Sequence, residues 1–450
     1  MPTEMSVTTL GTRPAEGRLS LLRRGLRVGL PLLLVGCGSL LGAQGLSYGP
    51  FTLSAFAKGE WGRNSNQGAD AQLYPLENKQ RAWADQLVVG HPYGTETRHV
   101  TLFQPWLGVK FDIGGGFKLS ALVSQRWRDG NNDIPGFMYE ENVAISHENY
   151  GSLRIGKMTT RAWSIADYPY GTNVGLADQW GASGAGYGLN TRAIRYTAPT
   201  LDFNEGDLVL EGTYDRGNIA FKVNKPRFIE LYAQYHKGDL VVDAMVQDTR
   251  NGTPMAWGHG PFTGLTPFPK DDVKLGGSGQ GIAMVMARYE LNSRWQVSGG
   301  LRRNRWSGAY AVITDPNAPA QWNDMFNVNW DGSLNGVANP GYAATSVDGF
   351  AGLRYKWTKL SAWTAIERLG KAATANPSER GQGNYAIFNT AGLQYEVGRG
   401  LAVYACVGVV TYGHLGLSPM SMPGNSAFTG VDSRITKSGN WFLIGAVYVL

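Results

Sequence analysis

From Phe51 to its last residue the chain repeats one pattern: apolar and polar residues alternate with a period of two, in runs of about ten residues. In Phe117–Arg128, Phe117, Leu119, Ala121, Val123 and Trp127 fall on one face. Lys118, Ser120, Ser124, Arg126 and Arg128 fall on the other. A strand sends successive side chains to opposite faces, so each run carries one apolar and one polar surface. The connections alternate too. Short turns fall at Gly114–Gly116, Tyr150–Gly151, Lys237–Gly238, Asn292–Arg294, Thr358 and Gly398–Gly400. Between them lie long polar segments rich in Gly, Pro and Asn: 62–98, 159–190, 250–280, 307–346, 370–384 and 413–439. Hairpins with short turns at one end and long loops at the other form an antiparallel sheet with two unlike rims.

The runs read as strands near 51–61, 99–113, 116–127, 139–148, 151–158, 191–200, 206–216 and 227–237. The rest lie near 239–249, 281–291, 295–306, 347–357, 359–369, 385–397, 401–412 and 440–450. Their lengths suit tilted strands crossing a bilayer, and beyond residue 50 no apolar run reaches the ~20 residues of a membrane helix. Phe442, Ile444, Ala446, Tyr448 and Leu450 make one apolar face that runs to the final residue. A closed barrel pairs such a strand with the first one and so removes both edges. The 61 Gly, 14 Trp and 21 Tyr fit crowded sheet interiors and lipid–water boundaries, although soluble β-propellers share that excess. A propeller would repeat at about 40–50 residues, and no such repeat is present. The expected fold is all-β: a 16-stranded antiparallel transmembrane β-barrel.

Residues 1–45 read as a signal peptide. Arg18, Arg23, Arg24 and Arg27 precede the apolar Val28–Leu41 and the small residues Ala43–Gly45, which place cleavage after Gly45 and the barrel at 46–450. A competing reading takes Leu34–Cys37 as a lipidation site at Cys37. Loss of the leader removes five Arg and two acids, lowering the net charge from +6 to +3. That charge is too small for a nucleic-acid surface, and no nucleic acid is expected as a partner. Cys406 is the one cysteine left, which excludes an intrachain disulfide and a cysteine metal site. His91, His99, His147, His236, His259 and His414 are scattered without metal or catalytic spacing. Gly276–Gly281 lacks the following helix of a phosphate loop. No cofactor is expected, and an enzymatic barrel is the weaker alternative to a channel.

Several short pieces resemble the trimeric general porins of Gram-negative outer membranes. Tyr150–Lys157 resembles the turn and strand before that family's constriction loop, and Thr191–Pro199 the strand that leaves it. Leu107–Phe111 resembles the second strand, and the terminal strand the assembly signal. The chain departs from the pattern in ending on Leu450, in Lys157 where Arg is usual, and in Trp106 where some members carry a wall arginine. The resemblance implies a homotrimer in the outer membrane, in contact with lipid, the barrel assembly machinery, ions and small hydrophilic solutes. It also implies that the segment of about 159–190 folds inward to narrow the bore.

A channel of this kind sorts solutes by the field at its narrowest point. By resemblance, Lys157 and Arg192 belong to the barrel wall facing the loop. By periodicity, Arg126, Arg128, Lys118 and Lys58 also point inward, and the loop acids Asp167 and Asp178 would oppose them. A channel specific for sugars, phosphate or organic acids is the alternative. For sugars the candidate lining aromatics are Tyr232, Trp363 and Tyr404.

Overall fold

The computed structural model describes residues 45–68, 94–132, 138–161, 189–217, 219–223, 225–250, 278–308, 344–371, 373–374, 385–413 and 436–450. Among them run sixteen antiparallel staves. The first eight are β1 (Phe51–Gly68), β2 (Gly94–Gly114), β3 (Phe117–Ser124), β4 (Glu140–His147), β5 (Gly151–Thr159), β6 (Leu189–Thr197), β7 (Gly206–Asp215) and β8 (Arg227–Lys237). The others are β9 (Leu240–Arg250), β10 (Ser278–Glu290), β11 (Trp295–Gly308), β12 (Ala344–Lys356), β13 (Leu360–Leu369), β14 (Ala386–Gly398), β15 (Leu401–Tyr412) and β16 (Thr436–Val449). Short strand pieces at Leu46–Tyr48, Trp127–Arg128, Asn131–Asn132, Leu201–Phe203 and Ala373–Thr374 extend the rims.

Each stave pairs with its neighbours in sequence, and β16 pairs with β1 from Phe56↔Val449 upward, so the sheet closes. The seam runs to the end of the chain. Leu450 N–H donates to the Ala55 carbonyl at 2.8 Å, and Leu46–Tyr48 then takes over alongside Phe51–Leu53. Closure satisfies every strand edge, which an apolar solvent demands. Gly400 enables the turn beside the seam: its φ is +81°, and a Cβ there would lie 2.0 Å from the Val449 carbonyl oxygen.

The two faces invert the pattern of a soluble protein. Leu107, Val143, Ile145, Ile155, Leu231 and Val285 point outward and are exposed, while Gln104, Glu140, Asn142, Arg195, Glu211 and Glu230 point inward and are buried. An apolar outside around a polar inside is stable only when the outer solvent is lipid. At the short-turn rim the outward positions turn aromatic, with Trp295, Tyr355 and Trp357 packed ring to ring at 4.6 Å. Amphipathic rings of this kind seat at a membrane boundary.

One run departs from strict alternation. The β3 ladder ends at Ser124, and both Gln125 and Arg126 are buried before Trp127 resumes outward, stacked on Phe103 at 5.8 Å. The Gln125 side chain accepts the Arg126 N–H, which takes that group out of the ladder.

Candidate functional site

The inner wall across β4 to β9 carries a connected set of charges on the lumen side. Its placement follows from parity. On β5, Leu153 and Ile155 are outward, so Arg154 is inward; its Nη1 donates to Asn142 Oδ1 on β4 at 2.5 Å. On β6, Ile194 and Tyr196 are outward, which turns Ala193, Arg195 and Thr197 inward. Arg195 reaches two acids of the next staves, Glu211 at 3.1 Å and Glu230 at 3.6 Å. It also donates to Thr213 Oγ1 and to the Thr159 carbonyl, both at 2.8 Å.

Arg161, just past β5, completes the cluster. Its Nε and Nη2 donate to the two oxygens of Glu211, each at 2.5 Å, a bidentate pairing that the planar guanidinium favours. Its backbone N–H donates to Glu230 at 2.9 Å, and its guanidinium lies 5.4 Å from the centre of the Tyr232 ring. Burial opposes the charge of Arg161, but the Glu211 carboxylate outweighs it and holds the group above the ordinary arginine value. Thr197 and Gln247 satisfy the remaining lone pairs of Glu211 and Glu230 at 2.7 and 2.6 Å. Tyr232 and Gln234 both donate to Asp243 beside them.

The arrangement does two things. It fastens the chain leaving β5 to β7 and β8, staves two and three positions further round the wall. It also leaves Arg154 without a carboxylate within ion-pair distance among the described residues, whereas Arg161 and Arg195 are matched by Glu211 and Glu230. A second inward pair sits across the wall, where Asp348 on β12 accepts from Arg302 at 2.9 Å and Asn304 at 2.8 Å.

The residues singled out from sequence separate into groups. Lys58, Lys118, Arg126 and Arg128 have inward positions. Lys58 is buried 3.5 Å from Glu60, and Arg126 donates to Gln104 and lies over Tyr139 at 5.4 Å. Arg128 stands opposite the inward Leu102, and Lys118 opposite Ser146 in the row of Ser120 and Ser124. Tyr232, Trp363 and Tyr404 are also buried and inward. Lys157 and Arg192 depart from the expectation. Lys157 pairs with the exposed Glu141 on the parity of Leu153 and Ile155, and donates to the Met138 carbonyl. Arg192 is exposed on the parity of Ile194 and Tyr196. The physical reason is the two-residue period itself, which puts each of them on the same face as its apolar neighbours. Asp167, Asp178 and the inward course of the 159–190 loop lie outside the described residues.

Arg154, Arg161 and Arg195 are not among the residues singled out from the sequence, although the signal for two of them is present there. An arginine flanked on both sides by apolar strand residues, as Arg154 and Arg195 are, must share the polar face.

No family model matches the chain, and none of the curated proteins matches it. Solved structures do match. The anion-selective porin from Comamonas acidovorans is 13% identical with a TM-score of 0.57, covering 89% of this chain and 99% of that one. The trimer form of in-vitro folded OmpT, an outer membrane protein of Vibrio cholerae, is 13% identical with a TM-score of 0.54, covering 89% and 100%. Salmonella typhi OmpF in complex with daunomycin is 11% identical with a TM-score of 0.51, covering 89% and 98%. At such identities the likeness establishes the fold, which is that of the sixteen-stave porin barrels.

Proposed function

We propose that this porin-fold chain is a water-filled diffusion channel in the outer membrane of a Gram-negative bacterium, passing ions and small hydrophilic solutes without covalent chemistry. The observation that carries the reading is the inverted barrel: a closed sheet with an apolar outside and, on its inside, Arg154, Arg195, Glu211 and Glu230. A wall of ionic groups around a lumen is costly unless water or counter-ions solvate it, and a conducting path supplies both. Among the described residues no group of His, Cys, Asp and Glu is arranged to hold a metal ion.

The same reading takes the functional unit to be a trimer, as the Vibrio cholerae relative's trimer form illustrates for that protein. The apolar outer wall meets lipid or a second copy, and the terminal strand engages the assembly machinery. On this reading residues 1–45 are its signal peptide, and the 159–190 segment folds inward to narrow the lumen. Lys58, Lys118, Arg126 and Arg128 line the bore, with Asp167 and Asp178 facing the wall from the loop. A channel selective for small organic anions is a second reading, favoured by Arg154, which has no ion-pair partner among the described residues, and by Tyr232 beneath Arg161.

Reconstitution into liposomes tests the general reading. Swelling rates in a series of uncharged sugars should fall smoothly with solute size. Liposomes that hold the heat-modifiable, sheet-rich protein yet admit none of the sugars would contradict it.

A further inference from the structure

The outer face at the long-loop rim is aromatic over part of the circumference. Trp61 meets Phe442 edge to face at 5.6 Å, and Phe103 stacks on Trp127. On β11 and β13 the corresponding outward positions are basic. Arg303 lies eight residues along from Trp295 and Arg368 eight along from Leu360. Eight residues of tilted strand rise about 20 Å, which places both guanidinium groups near the upper boundary of the apolar band.

Between them the surface is concave. A groove of ≈ 620 Å³ is lined by Leu301, Val347, Ala351 and Ile366 with Arg303 and Arg368 at its sides. Lys371 lines it too, just above Arg368 where the β13 strand breaks off. The register explains the hollow. Gly349 sits between Leu301 and Arg368 in one outward row, and Gly370 follows where a Cβ would lie 1.9 Å from the Val347 carbonyl oxygen. The absent side chain at Gly349 leaves the hollow, and Gly370 lets the chain pass close against Val347.

Asp348 also lines the groove, but its oxygens accept from Arg302, Asn304 and the Gly370 N–H. Arg305 and Arg227 nearby share Asp248 at 2.7 and 2.9 Å. Arg303 and Arg368 have no carboxylate partner among the described residues; Arg368 lies 5.2 Å from the centre of the Tyr385 ring. Cations on the outer face of a membrane barrel are unfavourable within the hydrocarbon and tolerated at the interface, where an anion can meet them.

Resting on the reading of the outer face as lipid-facing, we infer that this groove binds a phosphate-bearing lipid of the outward leaflet. Its phosphate would sit between Arg303 and Arg368, and one acyl chain along Leu301, Val347 and Ile366. The chemistry is that of paired guanidinium groups, whose forked donors match phosphate oxygens. An apolar seat directly beneath them selects a lipid over a free anion.

The test is native mass spectrometry of the full barrel in detergent with phosphatidic acid, or with diacylglycerol of the same chains. Phosphatidic acid should remain bound and diacylglycerol should not. The Arg303→Gln/Arg368→Gln variant should weaken retention by about tenfold or more, as expected for two lost charge-assisted contacts. An Arg303→Lys/Arg368→Lys variant should keep most of it, and Arg192→Gln, an outward arginine of another sector, should change nothing. Folding of each variant is checked by heat-modifiable mobility. Equal retention of the two lipids, undiminished retention by the Gln variant, or displacement by inorganic phosphate would overturn the site. So would a Gln variant that alters oligomeric state but not lipid retention, because a second copy would then occupy the groove. An intact, conducting barrel that retains neither lipid removes this inference and leaves the channel reading standing.

Discussion

Replacing Arg154 by Gln removes a wall cation that has no carboxylate within ion-pair distance among the described residues, while its neighbours Arg161 and Arg195 stay paired with Glu211 and Glu230. The expected consequence is a loss of anion preference. At one Debye length, about 8 Å, a unit charge acts on a passing ion with about 0.5 kcal/mol in water, reduced by screening to about 0.2. Anions and cations feel it with opposite sign, so their permeability ratio moves by about 0.4 kcal/mol, or about twofold. An effective dielectric near 20 at a narrow wall would raise the change to about tenfold. Gln keeps an amide donor for Asn142, so the barrel should assemble normally. The assay is the zero-current potential across a salt gradient in planar bilayers. Arg154→Gln should shift it toward cation preference, and neither Lys157→Gln nor Arg192→Gln should move it. A shift with Arg192→Gln and none with Arg154→Gln would refute the parity on which the wall assignment rests.

Glu211→Ala should destabilise the barrel more than Glu211→Gln, which keeps an acceptor for Arg161, by about 1–3 kcal/mol for the donors left unpaired, read as a lower temperature for loss of heat-modifiable mobility. Equal midpoints for the two variants and the parent would mean that the cluster does not fasten the chain leaving β5 to β7. Gly400→Ala should block assembly, because its Cβ meets the Val449 backbone at 2.0 Å, whereas Gly238→Ala, at φ +55° with open space around it, should cost only about 1–2 kcal/mol. Equal surface levels of the two variants would contradict the seam geometry. Deleting Ala446–Leu450 strips the partners of Phe56–Gly59, at several kcal/mol for each unpaired group in lipid, and should abolish assembly in cells. Normal surface levels of that truncation would show that the barrel closes elsewhere.

Much of the fold was legible because a membrane barrel writes its register into the chain. Each stave alternates, each hairpin pairs a short turn with a long loop, and fourteen of the expected runs coincide with their staves to within about four residues; β1 runs on to Gly68 and β2 begins at Gly94, so both enter the segment expected as the 62–98 loop. What escaped was local. Arg126 follows a break in alternation that arises when the Gln125 side chain captures the Arg126 N–H, an event that no periodicity foretells. Tyr48 lies outside the first expected strand because Leu46–Tyr48 turns back through a tight hairpin onto Phe51–Leu53, where it continues the line left by the last stave. For the site, resemblance pointed to Lys157 and Arg192, while the alternation of their own segments pointed to Arg154 and Arg195. Motif position carried over a role that the facing of the side chain does not support. Arg161 could not be read at all, since it stands past the end of a strand and is placed by acids 50 and 69 residues away in sequence.

The central claim is a conducting lumen, and single-channel recording tests it most directly. Purified protein, folded in detergent and shown to be sheet-rich and heat-modifiable, is added to a planar bilayer at neutral pH. Stepwise conductance that rises in proportion to salt concentration is the predicted result, with a potential across a gradient that depends on Arg154. A folded barrel that inserts but passes no current at any salt concentration would contradict the account.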